Sequence, residues 1–306
     1  MTSADGFRHA PVMLAEVLAK LSPERGGWFF DGTVGGGGHA EAILDASPDV
    51  RLIAVDRDPD ALAAARERLA RFGDRVRWVH ADFAAGAETV EEALAGALLD
   101  LGISSWQIDS LERGFTFRPG APLDMRMGST GESAADLLNR ASEERIADVL
   151  YHYGEEKKSR RFAREIVARR ATQPFEKSED LVGIIERVIP RATMQDRARI
   201  FQALRIAVNE ELTLLERALP ALRDALEDGG VLVVLTYHSL EDREVKNAFR
   251  EWSRACICPP ELPVCQCRGV PLGKTLTRKP LEASAAEVSA NPRARSARLR
   301  AWRKAA

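Results

Sequence analysis

The stretch WFFDGTVGGGGHAEAIL, Trp28–Leu44, decides the reading of the fold. An apolar run ends in an acid, Asp31, and five glycines then fill seven positions, Gly32 and Gly35 to Gly38. A helix-like segment through Leu44 follows. A strand, a glycine loop and a helix N-terminus together hold nucleotide-like ligands, because backbone N–H groups can approach the ligand with no side chain between. A flexible surface loop is the plainer alternative. It fits poorly with an apolar run and an acid leading directly into the glycines. Glycine loops serve many enzyme classes, so this stretch alone names no ligand.

Outward from the loop, strand and helix signals alternate. GWFFD is a first strand, and RLIAVD, ending at Asp56, a second. DPDALAAARERLARF has helical apolar spacing. RVRWVHAD is a third strand, a helix near Val90–Leu94 follows, and GALLDLGISS is a fourth strand. This order predicts an α/β fold, with a parallel sheet flanked by helices on both faces. Ligands of such sheets bind at the carboxyl ends of the strands. Asp31, Asp56, Asp82 and Asp100 each close one of these strands. One such Asp is readily a helix cap, whereas four in register point to a site.

After Gln107 the pattern changes. LERGFTFRPGAPLDMRMG reads as loop, and helical stretches follow: SAADLLNR, SEERIADVLYHY, EKKSRRFAREIVARR and SEDLVGIIERVI, the last stopped by Pro190. RIFQALRIAVNEELTLLERAL predicts one long amphipathic helix. LEDGGVLVVLTYHSLED returns to the α/β pattern, and ARLRAWRK offers an edge strand to complete the sheet.

Composition bounds the function. With 306 residues, 45% apolar and 29% charged, the chain has room for one large domain with an insertion. No apolar run is long enough to span a membrane, and MTSADGFRHAPVM lacks a signal-peptide core, so a cytoplasmic protein is expected. A net charge of −2 does not advertise a nucleic-acid partner. Local charge does: Glu155–Arg205 holds thirteen Lys/Arg against eight Asp/Glu, and NPRARSARLRAWRK holds six Lys/Arg and no acid. All four cysteines, Cys256, Cys258, Cys265 and Cys267, fall in CICPPELPVCQC. Such clustering favours metal over disulfides, but the C-x-C pairs are tighter than a usual zinc knuckle. Thiols in a mobile loop are the expectation, with zinc as the alternative, and no metal ligand is assigned.

Two ligand classes compete for the first half, dinucleotides and S-adenosylmethionine. Both use an acid after the second strand, here Asp56, to accept bonds from ribose hydroxyls. No G-x-G-x-x-G stands at its usual spacing from the strand, and a late Gly-Gly plus apolar strand suits a methyltransferase sheet. Phe83, in HADF, is available to stack on an adenine. The methyltransferase is favoured. A non-catalytic RNA-binding module and an amino-methyltransferase acting on DNA or protein remain as other classes.

DGTVGGGGH, DRDP, LDLGISSWQ, ERGFTFRPGAPLDMRM, YGEE, QALRIAVNEEL, YHSLEDREVK and NPRARSARLR resemble, in order, the motifs of the RsmH (MraW) family of bacterial 16S rRNA (cytosine-N4)-methyltransferases. The resemblance runs from about His9 to Arg300. It implies a Rossmann-like S-adenosylmethionine-dependent methyltransferase fold over 1–110 and 206–306, with an inserted all-helical substrate-recognition domain over 111–205. It also implies a target cytosine in the decoding region of 16S rRNA, read in the rRNA itself or in the small ribosomal subunit. Carried over, the cofactor contacts fall on Gly37, Gly38, His39, Asp56, Phe83, Asp100 and Gln107. Trp106 departs from the family's proline.

Methylating a cytosine amino group demands in-line positioning and hydrogen bonds that let the nitrogen pyramidalise. Asp100, Ser104 and Ser105 are the catalytic candidates. His238 and Ser239 are either a rival acceptor group or a helix cap. An unstacked base calls for aromatic platforms and phosphate contacts, with Trp106, Phe115 and Phe117 as candidates for the first and Arg113, Arg118 and Arg126 for the second.

Overall fold

The computed structural model describes residues 11–103, 110–128, 130–259, 264 and 266–306. The chain forms two compact units, Met1–Gly102 with Leu212–Ala306, and Ile103–Glu211.

The first unit is built on an eight-stranded sheet. Strand β1 (Gly27–Asp31) leads through the glycine loop into α2 (Gly38–Asp45), preceded in the chain by α1 (Leu14–Leu21). Then come β2 (Val50–Asp56), α3 (Pro59–Arg68), β3 (Val76–His80), α4 (Phe83–Glu88) and β4 (Leu94–Asp100). The order across the sheet is β3-β2-β1-β4-β5, all parallel, with β5 at Leu226–Thr236. Two successive crossovers lead from β1 toward β3, and the chain then returns to the other side of β1. The direction of winding therefore reverses between β1 and β4, and a crevice opens there at the carboxyl ends.

Side chains alternate across the sheet. Leu52 and Ala54 join α1 and α2 on one face through Val17, Leu21 and Ile43. Ile53 and Val55 join the opposite face, where α10 (Glu211–Ala225) contributes Leu215 and Leu222 and α11 (Ser239–Trp252) contributes Val245 and Phe249. Strands buried on both faces read as continuous apolar runs, as LIAV and VLVVL do.

Four expectations change. The helix after β3 is Phe83–Glu88 rather than Val90–Leu94, because the Asp82 carboxylate accepts hydrogen bonds from the N–H groups of Ala84 (3.0 Å) and Ala85 (2.8 Å) and starts it early. The fourth strand stops at Asp100 instead of running on to Ser105. ARLRAWRK is not an edge: β8 (Arg298–Lys304) lies antiparallel between β5 and the short β6 (Gly273–Thr275), and also pairs β7 (Leu281–Glu282). The single long helix divides into α9 (Met194–Asn209) and α10 at Glu210, whose φ is 52°. The buried Asn209 amide fixes that break, donating to the carbonyls of Met125 (2.7 Å) and Arg205 (2.9 Å) while accepting from Met127 N–H (2.8 Å).

In the second unit α5 (Ala134–Arg140), α6 (Glu143–His152), α7 (Ser159–Arg170), α8 (Ser178–Val188) and α9 enclose Leu138, Leu150, Phe162, Ile166, Ile185 and Leu204. Ser133, Ser142 and Thr193 cap α5, α6 and α9, each contributing about 1 kcal/mol.

Candidate active site

Three carboxylates converge where β1, β2 and β4 end. Asp31 is 1% exposed, and its Oδ1 accepts from Thr33 N–H at 3.1 Å. Burial, joined by the charges of Asp100 and Asp56, pushes its pKa up to about 7. Asp56 accepts from Gly35 N–H and Asp58 N–H, both at 2.9 Å. Burial still raises its pKa, against those hydrogen bonds. Asp100 is raised by burial too, opposed by His39 and by the Tyr237 hydroxyl, which donates to Asp100 Oδ1 at 2.8 Å. Among the described residues, no Arg or Lys lies within ion-pair distance of any of the three.

The loop between these acids explains its own glycines, and not all in one way. Gly35 and Gly37 have φ of 51° and 80°, where a side chain would be strained. Gly37 is the N-cap of α2. Gly32 is a packing glycine: a Cβ there would lie 2.5 Å from Leu99 and 2.8 Å from the Phe30 ring. A Cβ on Gly38 would press on Pro11 at 3.2 Å. Backbone conformation at Gly35 and Gly37 and close packing at Gly32 and Gly38 are thus two reasons for the glycine run within the protein itself.

The structure brings Gly37, Gly38, His39, Asp56, Phe83 and Asp100 to this end of the sheet. His39 is 6% exposed. Its Nε2 lies 2.9 Å from the Val12 carbonyl, an acceptor, so Nε2 carries the proton. Its Nδ1 faces Asp100 Oδ2 at 3.6 Å. Both ring nitrogens thus face protein groups. Phe83 opens α4 and packs beside Gly32. Asp82, fourth of the strand-end acids, is a helix cap and stands apart in role. Ser104, Ser105, Trp106 and Gln107 lie outside the described residues.

Sequence reasoning missed Thr33 and Tyr237. The Thr33 hydroxyl accepts from Asp100 N–H at 2.7 Å and hydrogen-bonds Asp31, linking the ends of β1 and β4. Tyr237 stands next to the two residues the sequence singled out. His238 caps α11 in a capping box with Glu241, its Nε2 3.0 Å from Glu241 Oε1, so the cap reading holds for it. In the second unit, the phosphate candidates are mostly occupied. Arg126 pairs with Asp124 at 2.6 Å, and Arg113 donates to the Met127 carbonyl at 2.8 Å. Phe117 packs edge-on against Phe201, and Phe115 lies against the same core.

A parallel sheet with this winding, a glycine loop opening α2, and acids without Arg or Lys partners ending β1, β2 and β4 define a Rossmann-like methyltransferase. The donor set fits S-adenosylmethionine. Carboxylates raised by burial, with no Arg or Lys within ion-pair distance among the described residues, favour a positively charged ligand, and the Asp56 oxygens retain lone pairs for ribose hydroxyls. The MraW methylase family matches residues 6–305, and the chain belongs to it. A Gemmatimonas aurantiaca protein named ribosomal RNA small subunit methyltransferase H is 53% identical over 307 residues, covering 98% of this chain and 96% of its own. Relatives of the same name from Geotalea uraniireducens and Heliobacterium modesticaldum are 51% and 52% identical, each covering 97% of this chain and 99% of their own. Among the described residues no helix is long and apolar enough to cross a membrane.

Proposed function

We propose that the chain methylates the exocyclic N4 of one cytosine in the decoding region of 16S rRNA, using S-adenosylmethionine. The observation that carries this reading is the convergence of Asp31, Asp56 and Asp100 around a glycine loop, in a chain of the MraW methylase family. When bound, S-adenosylmethionine supplies a methyl group on positively charged sulfur.

The chain's own residues do the rest by position and charge. Asp56 would accept the ribose hydroxyls, and Phe83 would stack on the adenine. The loop of Gly37 and Gly38 admits the donor close to the backbone. Asp31 and Asp100, linked by Thr33, would face the positive charge. Asp100, Ser104 and Ser105 would hydrogen-bond the cytosine amino group, so that its lone pair is freed from the ring and aimed at the methyl carbon. Tyr237 holds Asp100 in orientation.

The helical unit would recognise the RNA. Lys157, Lys158, Arg160, Arg161 and Arg164 are exposed on and just before α7, and the three arginines have no side-chain partner among the described residues. They suit phosphates better than the occupied Arg113 and Arg126 do. Such a reaction belongs in the cytoplasm, on the rRNA or the small subunit.

The test is to map methylated nucleotides in 16S rRNA from cells with and without this protein. One N4-methylated cytosine should disappear. Identical maps would overturn the assignment.

A further inference from the structure

We propose that Cys256, Cys258 and Cys267 bind one zinc ion as thiolates, in the connector between α11 and β6. Their sulfurs all lie within 4.8 Å of one another. The sulfurs of Cys256 and Cys267 are 3.9 Å apart. That is about twice the roughly 2.05 Å of a disulfide. It is close to the edge of a tetrahedron with zinc–sulfur bonds of about 2.3 Å, an edge of about 3.8 Å.

Backbone N–H groups hold these sulfurs in place. Ile257 N–H points at Cys267 Sγ, and Gln266 N–H points at Cys258 Sγ, each at 3.3 Å. The central residue of each C-x-C triplet thus donates to a sulfur of the other triplet. The tight C-x-C spacing does not keep Cys256 and Cys258 apart, since their sulfurs lie within 4.8 Å of each other.

The connector also needs such a tie. No described residue from Ser253 to Leu272 is buried, and Ile257, Val264 and Val270 are exposed. Apolar burial therefore does not offset the entropy of ordering this segment. Arg268 fixes its base, donating to the carbonyls of Glu251 (2.6 Å) and Arg254 (3.1 Å) at the end of α11. A bound metal contributes directly to folding in small segments of this kind. Donors that are all sulfur select zinc among the common divalent ions without redox demands. Cys265 lies outside the described residues, and the proposal rests on the other three.

The experiment is elemental analysis of the full chain, purified under reducing, chelator-free conditions, followed by cobalt exchange. About one zinc per chain is expected, together with the intense visible bands of tetrahedral thiolate-bound cobalt. The variants Cys256→Ser/Cys258→Ser and Cys267→Ser should lose both, with their circular dichroism retained. Should a variant fail to fold, mercurial modification of the native thiols should release the zinc. Absence of metal and of cobalt bands would overturn the proposal. So would zinc that survives in the folded variants or after thiol modification.

Discussion

Carboxylates behave oppositely in the two units. In the helical unit Asp136 and Asp196 serve as capping-box partners, and hydrogen bonds from Ser133 and Thr193 hold their carboxyl groups below the usual range. Arg169 and Asp180 form an ion pair of 2.6 Å. At the carboxyl ends of β1, β2 and β4, by contrast, Asp31, Asp56 and Asp100 are raised by burial and have no Arg or Lys partner among the described residues, although His39 Nδ1 faces Asp100 at 3.6 Å. The first set stabilises the fold it sits in. The second is held at a cost to stability, and perturbed groups of that kind mark sites where a ligand completes the electrostatics. Asp82 makes the contrast local. It stands two residues past β3 and is a satisfied cap, so a position near a strand end does not by itself make an acid functional.

The sharpest break in activity is expected between these acids and the serines that follow β4. If Ser104 and Ser105 orient the cytosine amino group, Ser104→Ala or Ser105→Ala should lower turnover about 10²–10³-fold. S-adenosylmethionine affinity should stay unchanged in both. Steady-state methylation of rRNA beside calorimetry of the donor separates the two effects. Normal turnover in both single variants and in the double variant would move the acceptor chemistry elsewhere.

Asp31 tests the cost of this strand-end cluster. Its pKa is raised from 3.8 to about 7, so the folded chain holds a proton that the unfolded chain has released. Its stabilising contribution is therefore complete below about pH 4 and is lost as pH rises through about 7. Between pH 5 and pH 8 the ligand-free protein should lose up to about 3 kcal/mol from this group. Asp31→Asn keeps an acceptor for Thr33 N–H and should remove that loss. Urea unfolding at the two pH values checks it. Equal pH dependence in wild type and variant would show that the carboxylate ionises freely.

A smaller effect should appear on the other side of the comparison. Arg160→Ala/Arg161→Ala/Arg164→Ala should make the dependence of log affinity for RNA on log salt shallower by about 2, at about 0.7 per phosphate contact on single strands. Donor affinity should not move. An unchanged salt slope would place the RNA on another surface.

Much of this was legible in the sequence because the sheet's signals are local. Strands buried on both faces appear as runs of Val, Leu and Ile, and the glycine loop follows β1 directly. The parallel α/β class follows from that order alone. What depended on distant partners was harder to read. Tyr237 reaches Asp100 across 137 positions of sequence, and nothing in TYHSLED distinguishes it from His238, which turns back to cap its own helix. The antiparallel insertion of β8 beside β5 was equally hidden, since an apolar strand with basic residues reads the same at an edge or inside. Asn209 broke a helix that periodicity predicted to be continuous, because its partners Met125 and Met127 lie in a loop more than 80 positions away.

The central claim is that the acids ending β1, β2 and β4 form the methyl-donor site while the capping acids only build the fold. Calorimetric titration of S-adenosylmethionine into wild type, Asp56→Ala and Asp136→Ala tests it most directly. Charge-assisted hydrogen bonds are each worth about 1.5–3 kcal/mol, so Asp56→Ala should weaken binding at least about tenfold. Asp136→Ala gives up a cap partner costing about 1 kcal/mol of stability, and should bind the donor as wild type does. Unchanged affinity in folded Asp56→Ala, or an equal loss in both variants, would contradict the account.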